Sequence, residues 1–392
     1  MMHKLRFINY GSFIVNNMEN PFVTYHYAGP AYFCDRETEL SKLLEAFDNH
    51  RYVLLYSMRR LGKSGLIHHL HQVLNKRRNV MTIYCDVQNT RSDQEFMTKL
   101  ISAAIAAVEK SKKGVIARIG KYFGALRPVL TFDPATNLPT IEVQVHDRQQ
   151  VQSSLDILME MLGGLDQSVQ IAVDEFQQIS NYEVPSNIDA TLRGYLHKIP
   201  NTHFIFSGSQ RHLLLELFSD AKKPFFSATD HMHLHPLDPQ IYADFILKKF
   251  RGSKQKISME VVEHIIDWTR IHTYHTQYFC NRLFAKRHQE IGPKQVEEIK
   301  SEVLYTFEQS FLQLQSTLSR NQWKCLRGIA HENSVESVSN KEFLQKYNLA
   351  QSSAHQAVHV LLDHELIYEE RKDDKLRWFV YDPFFSRWLE NR

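Results

Sequence analysis

One short turn between a strand-like run and a helical pattern constrains this chain more than any other feature. Ser57-Met58-Arg59-Arg60-Leu61-Gly62-Lys63-Ser64 follows the strand-like run Arg51–Tyr56. After Gly65, the residues Leu66, Ile67, Leu70, Val73 and Leu74 recur on one helical face. Strand, tight turn and helix in that order aim successive backbone N–H groups at an anion, at the positive end of a helix dipole. A second signature follows where Ile171-Ala172-Val173 runs into Asp174-Glu175. An acidic pair after a strand is ordinarily a solvated loop, but the apolar run before this one reads as a buried parallel strand.

The two signatures divide the chemistry of a nucleoside triphosphate between them. Gly62 permits close approach, Lys63 reaches the β- and γ-phosphates, and the Ser64 hydroxyl ligates Mg2+. Asp174 holds Mg2+ through water, and Glu175 orients or deprotonates the attacking water. The phosphate-binding set is Ser57, Met58, Arg59, Arg60, Leu61, Gly62, Lys63, Ser64 and Gly65; the catalytic pair is Glu175 with Lys63. Ser57 stands where the first glycine is usual. Serine lacks glycine's freedom at positive φ, so the loop must start with another geometry or carry strain. Along the next strand, Ser207-Gly208-Ser209-Gln210 offers Ser209 or Gln210 as a γ-phosphate sensor, with a plain turn as the alternative.

Strand-like runs at Arg51–Tyr56, Val80–Val87, Val169–Asp174, His203–Ser207 and His231–Leu234 alternate with helical patterns. That alternation predicts an α/β P-loop core with a parallel sheet and flanking helices. Ser92 with Glu95 opens a helix running to about Lys110, and residues 111–150 read as an inserted hairpin. Asp238 as N-cap with Pro239 after it starts an all-α lid. From Ser319 the pattern is helix Arg320–His331, helix Lys341–Tyr347, helix Ser353–His364, then short strands Leu366–Glu369 and Leu376–Tyr381. Three helices and a β-ribbon make a winged helix-turn-helix. The predicted domains are an extension at 1–19, the core at 20–237, the lid at 238–318 and the winged helix at 319–392.

Composition narrows the class. At 392 residues, two or three domains are expected, and a formal charge of +3 argues neither for nucleic acid nor for a membrane surface. Cys34, Cys85, Cys280 and Cys325 form no metal spacing and suit a reducing cytoplasm. No run approaches a membrane span. The first residues lack a cleavage site, and Met18 offers an alternative start. His231, His233 and His235 alternate on one strand face, which could hold a metal; lacking an accompanying carboxylate or cysteine, they read better as packed polar residues.

On these motifs the chain resembles the archaeal-type P-loop ATPases of the AAA+/STAND group. Asn20-Pro21-Phe22 with Phe33-Cys34-Asp35-Arg36-Glu37-Thr38-Glu39-Leu40 is similar to the family's opening box over the base, which implies nucleotide contacts from Phe33 and Arg36. Met58 to Ser64, Asp174-Glu175-Phe176-Gln177, Ser207-Gly208-Ser209, and Tyr381-Asp382-Pro383-Phe384-Phe385 with Trp388 match its other motifs. The resemblance implies ATP and Mg2+ as cofactors and an ATP-dependent switch. Two family features are missing. Pro224-Phe225-Phe226-Ser227-Ala228 carries no arginine, and Tyr274-His275-Thr276 stands for a Gly-x-Pro in the lid. Arg193 and Arg211 are the candidate arginine fingers, and the lack of a clear one predicts slow hydrolysis.

The winged helix has eleven Lys/Arg and eleven Asp/Glu over 319–392, a balance that counts against strong DNA binding. Its recognition helix offers Ser352, His355, Gln356 and His359 without an arginine; the basic wing residues are Arg371, Lys372, Lys375 and Arg377. Docking within the chain or to a protein partner is the preferred reading, with DNA and homo-oligomerisation kept open. Three functions compete: a slow Mg-ATPase switch, a non-hydrolysing nucleotide-bound adaptor, and a DNA-binding regulator.

Overall fold

Apolar residues on both sides of successive strands dictate a sheet covered on both faces. The computed structural model describes residues 20–109, 128–132, 139–143, 148–196, 198–372 and 374–392. They form two compact units: His26–Pro236, and Leu237–Arg392 together with the described residues before His26.

The first unit opens with α1 (Glu37–Asp48), β1 (Val53–Tyr56), α2 (Lys63–Leu74), β2 (Val80–Asp86) and α3 (Asp93–Glu109). The hairpin β3 (Pro128–Phe132) and β4 (Pro139–Val143) follows, then α4 (Arg148–Gly163) and β5 (Ser168–Asp174). It closes with α5 (Ile188–Leu196), β6 (Thr202–Gly208), α6 (Arg211–Ser219) and β7 (Asp230–His233). The inserted hairpin is present as β3 and β4, residues 148–150 of the predicted insertion already belong to α4, and its remaining residues lie outside the described ones, as does the extension at 1–19.

Strands β2-β5-β6-β1-β7 make one five-stranded sheet, parallel throughout. Alternation sorts its residues into two cores. Val53, Leu55, Ala172 and Ile205 pack with Leu43, Leu66, Ile67 and Leu70 of α1 and α2. Leu54, Ile171, Val173, Phe204 and Phe206 face the other way, among residues of α3 to α6 such as Leu100, Leu158, Leu192 and Phe218. The strand order matters for chemistry. Because β6 lies between β1 and β5, its C-terminal end separates the phosphate turn from the acidic pair.

The second unit contains α7 (Pro239–Gly252), β8 (Lys256–Ile257), α8 (Met259–Trp268), α9 (Thr273–Ala285), β9 (Glu290–Ile291) and α10 (Pro293–Thr317). The winged helix adds α11 (Arg320–His331), α12 (Lys341–Lys346), α13 (Gln351–Asp363), β10 (Ile367–Lys372), β11 (Lys375–Val380) and α14 (Pro383–Glu390). The Asp238 carboxylate accepts from Gln240 N at 2.9 Å and Ile241 N at 3.0 Å, the N-cap expected before Pro239. Ser319 and Gln322 form a reciprocal capping box.

Three features depart from the sequence reading. The lid is not all-α, because β8 and β9 pair as a two-residue parallel ladder too short to leave a pattern. Asn20–Phe22, assigned to the core, belongs to the second unit. Asn20 Nδ2 donates to Asn281 O at 2.9 Å, Asn281 Nδ2 returns a bond to Phe22 O at 2.7 Å, and the fully buried Phe22 ring meets Phe250 at 5.0 Å. Finally, the aromatic C-terminus is a helix, α14, capped by Asp382 accepting from Phe385 N at 3.0 Å. Its rings join lid to winged helix: Phe384 lies 5.6 Å from Trp268, and Phe385 lies 5.0 Å from Phe311 of α10. Arg387 then donates to the Trp268 and Asp267 carbonyls at 3.0 and 3.2 Å, filling the C-terminal end of α8.

Burial penalises the charged form of several histidines of the first unit, and three are shifted far below the ordinary value. His71 falls to about 3, with His68 adding repulsion; His203 falls to about 4, with His50; and His233 falls to about 4, with His235 and Arg211. A depressed folded value contributes stability above the ordinary 6.5 that is lost as pH falls toward 4. Thermal unfolding between pH 7 and pH 4 is expected to show the midpoint dropping with pH, and His71→Leu is expected to flatten that slope. An unchanged slope in His71→Leu would rule out His71 as a contributor.

Candidate active site

The turn after β1 solves the serine problem by geometry. Arg60 (φ 62) and Gly62 (φ 102) take left-handed conformations, and Ser57 does not. Ser57 is therefore free of left-handed strain, and its buried side chain becomes part of the loop's wiring. Its hydroxyl donates to Met58 O at 2.7 Å and accepts from Lys63 Nζ at 3.2 Å. Lys63 Nζ also donates to Met58 O at 3.2 Å and Ser57 O at 3.4 Å. Lys63 is only 4% exposed, and this burial lowers its pKa, with Glu175 and Asp174 pulling the other way. The ammonium thus lies folded across the loop. A bound polyphosphate would supply the countercharge that its burial lacks.

The carboxylates at the end of β5 have separate supports. Asp174, 2% exposed, accepts at Oδ2 from Ser64 Oγ and from Tyr84 OH, both at 2.6 Å. Its Oδ1 accepts from Ser207 Oγ at 2.6 Å and from Glu175 N at 3.1 Å. Glu175 adopts a left-handed conformation (φ 57), which turns its side chain out of the strand's alternation. Its Oε2 accepts from Gln177 Nε2 at 2.6 Å and Ser209 Oγ at 2.9 Å. Two hard oxygen groups side by side, Ser64 and Asp174, suit a small divalent cation.

The remaining sequence candidates fall into two groups. Those around the turn include Phe33, whose ring stacks on His69 at 4.8 Å and sits 3.3 Å from where a Cβ on Gly65 would lie. Arg36 is buried behind the loop, donating to Glu39 at 2.7 Å and to Leu61 O at 3.5 Å. Arg59 and Arg60 are exposed on the turn, Met58 is half-buried and Leu61 is buried. Gln210 flanks α6 without a side-chain cap, and the next residue, Arg211, places its guanidinium 5.8 Å from the Tyr56 ring at the end of β1. Arg193 belongs elsewhere: it donates to Pro224 O at 3.1 Å and lies beside Tyr52, at the start of β1 rather than its phosphate end. His233 stacks on Tyr56 at 5.0 Å and meets His235 at 4.2 Å; among the described residues no group of three or more His, Cys, Asp or Glu side chains could hold a metal ion.

Tyr84, Ser207 and Gln177 were given no role from sequence. The alternation of β2 puts Thr82, Tyr84 and Asp86 on one face, but only the pairing of β2 with β5 brings Tyr84 opposite Ala172, two residues from Asp174. Gln177 closes over Gly208: a Cβ there would stand 1.8 Å from Gln177 Oε1, so the amide would have to move. Gly208→Ala is expected to expel Gln177 from Glu175 and to cost about 1–3 kcal/mol in overpacking. Denaturant unfolding would measure this, and wild-type stability would refute the contact.

Residues 33–271 match a family model described as an ATPase domain predominantly from Archaea, and residues 309–391 match one described as a probable winged helix domain. No curated protein matches the chain in sequence. The fold is similar to that of a Walker-type ATPase of Pyrococcus abyssi, at 18% identity and TM-score 0.65 over 94% of this chain and 99% of that one. The Aeropyrum pernix ORC2 protein, solved as ADPNP–ADP complexes, is similar at 12% identity and TM-score 0.58, over 95% of this chain and 96% of that one. The Aeropyrum pernix ORC1 protein in complex with DNA is similar at 12% and 0.50, with the same coverage of 95% and 96%. The first match spans more than half of the sequence and holds both phosphate signatures, and the chain belongs to this family of predominantly archaeal ATPase domains, followed by a winged helix domain.

Proposed function

We propose that the first unit binds Mg-ATP and hydrolyses it slowly. The observation that carries this reading is the convergence of Ser64 and Asp174 at 2.6 Å, with Glu175 held separately by Ser209 and Gln177. Lys63 and the N–H groups of residues 58–65 bind the phosphates, with Phe33 and Arg36 at the base side. Ser64 and Asp174 hold Mg2+, which neutralises charge developing on the phosphates when bound. Glu175 orients and accepts a proton from the attacking water. Ser209, already bonded to Glu175, couples that carboxylate to the γ-phosphate.

Slow turnover follows from two features. Lys63 must leave Ser57 and Met58 to reach phosphate, and of the two candidate arginines Arg193 lies at the wrong end of β1 while Arg211, at the right end, rests against the Tyr56 ring. An arginine from a second copy would raise the rate, so turnover rising faster than linearly with protein concentration would mark a homo-oligomeric site. The output of the switch is the C-terminal unit, whose lid and winged helix respond together because α14 fastens them. A protein partner suits the wing better than DNA: Glu336 pairs with Lys375 at 3.0 Å and with Arg377 at 2.6 Å, removing two of the four basic wing residues from phosphate contact. No helix of the described residues is long and apolar enough to cross a membrane.

Two variants separate hydrolysis from mere nucleotide occupancy. Lys63→Ala is expected to abolish ATP binding, whereas Glu175→Gln keeps binding and loses turnover by about 10²–10⁴-fold. Calorimetric binding and phosphate release test both. Tight binding by the wild type with no turnover would instead identify a nucleotide-bound adaptor.

A further inference from the structure

Asp174 accepts four hydrogen bonds, which fill its lone-pair sites, and the donors are not equivalent. Glu175 N is backbone and fixed. Ser64, on α2, is also a cation ligand in the reading above, and a hydroxyl whose lone pair turns to a cation is no longer committed to Asp174. Tyr84 OH on Oδ2 and Ser207 Oγ on Oδ1 have no such second task, and each bonds at 2.6 Å. They come from β2 and β6, the two strands flanking β5, so one hydroxyl holds each carboxylate oxygen from either side. The Tyr84 ring is seated independently of its bond to Asp174, with its centroid 4.3 Å from that of His68.

We propose that Tyr84 is a positioning residue for the nucleotide-bound divalent cation, fixing the Asp174 carboxylate through Oδ2 while Ser207 fixes Oδ1. The proposal rests on the Mg-ATP reading of the site. Outer hydrogen bonds of this kind orient a carboxylate ligand, and their loss costs on the order of 10–100-fold in cation affinity. Tyr84 OH donates to Asp174, the carboxylate assigned to the cation, so its influence is expected on cation affinity rather than on nucleotide affinity.

The test compares wild type, Tyr84→Phe, Ser207→Ala and His68→Ala. ATP binding is measured by calorimetry in EDTA, and Mn2+ binding to the ADP complex by electron paramagnetic resonance. Tyr84→Phe is expected to keep the EDTA affinity within about two-fold and to weaken Mn2+ about ten-fold. His68→Ala, which removes the ring neighbour and keeps the phenol, should leave Mn2+ affinity unchanged. Wild-type Mn2+ affinity in Tyr84→Phe overturns the proposal, as does an equal loss in His68→Ala, which would make Tyr84 a packing residue. Should Tyr84→Phe fail to fold, Ser207→Ala decides: a matching Mn2+ loss with intact EDTA binding supports carboxylate positioning, and no loss overturns it. A wild type that binds no nucleotide in a Lys63-dependent way removes the Mg-ATP reading itself, a different result from normal binding with an unmoved Mn2+ affinity.

Discussion

Asp174 is the point on which the first unit is organised. A buried carboxylate without partners is strongly destabilising, and this one is satisfied only when three elements besides its own strand are correctly placed. Ser64 comes from α2, Tyr84 from β2 and Ser207 from β6. Shifting β2 or β6 by one residue against β5 would turn these side chains to the other face and leave the charge alone. The site and the register of the sheet are therefore one constraint. The same requirement explains why β6 must lie between β1 and β5: only then do the serines at its end reach both acids while the phosphate turn stays one strand away.

The C-terminal unit depends on a second joint. Arg387 occupies the carbonyls at the end of α8, and Arg270 donates to Ser386 at 2.8 Å from the loop that follows. Arg270 and Ile271 both sit at positive φ, and for a β-branched residue such as Ile271 that conformation is costly. The aromatic packing of Phe384 and Phe385 and the two arginine contacts hold this turn in place. Lid and winged helix therefore share one core, although each has a recognisable pattern of its own.

Local patterns carried much of this into the sequence. The phosphate turn is legible because strand, glycine, lysine and helix are adjacent in the chain, and each has a short-range cause. The Asp238 and Ser319 caps and the alternating strands are legible for the same reason. The two-residue ladder of β8 and β9 has no sequence period to detect. Helix α14 was hidden because its aromatic residues also satisfy a core pattern, although Asp382-Pro383 carries the cap-and-proline signal that opens a helix. Of the two outcomes open at Ser57, another geometry or strain, the loop takes the first, because the left-handed positions fall at Arg60 and Gly62.

The sequence by itself determined the order of elements, the glycine–lysine turn after β1, the acidic pair and the winged helix pattern, since each rests on residues within a few positions of one another. Tertiary structure decided which side chains serve the acids. Tyr84 lies 90 residues from Asp174, and Gln177 matters through Gly208 on a neighbouring strand. It also decided that Asn20–Phe22 joins the C-terminal unit through Asn281, 261 residues away from Asn20. Such partners are chosen by strand order and helix packing, and no local spacing in the chain encodes them.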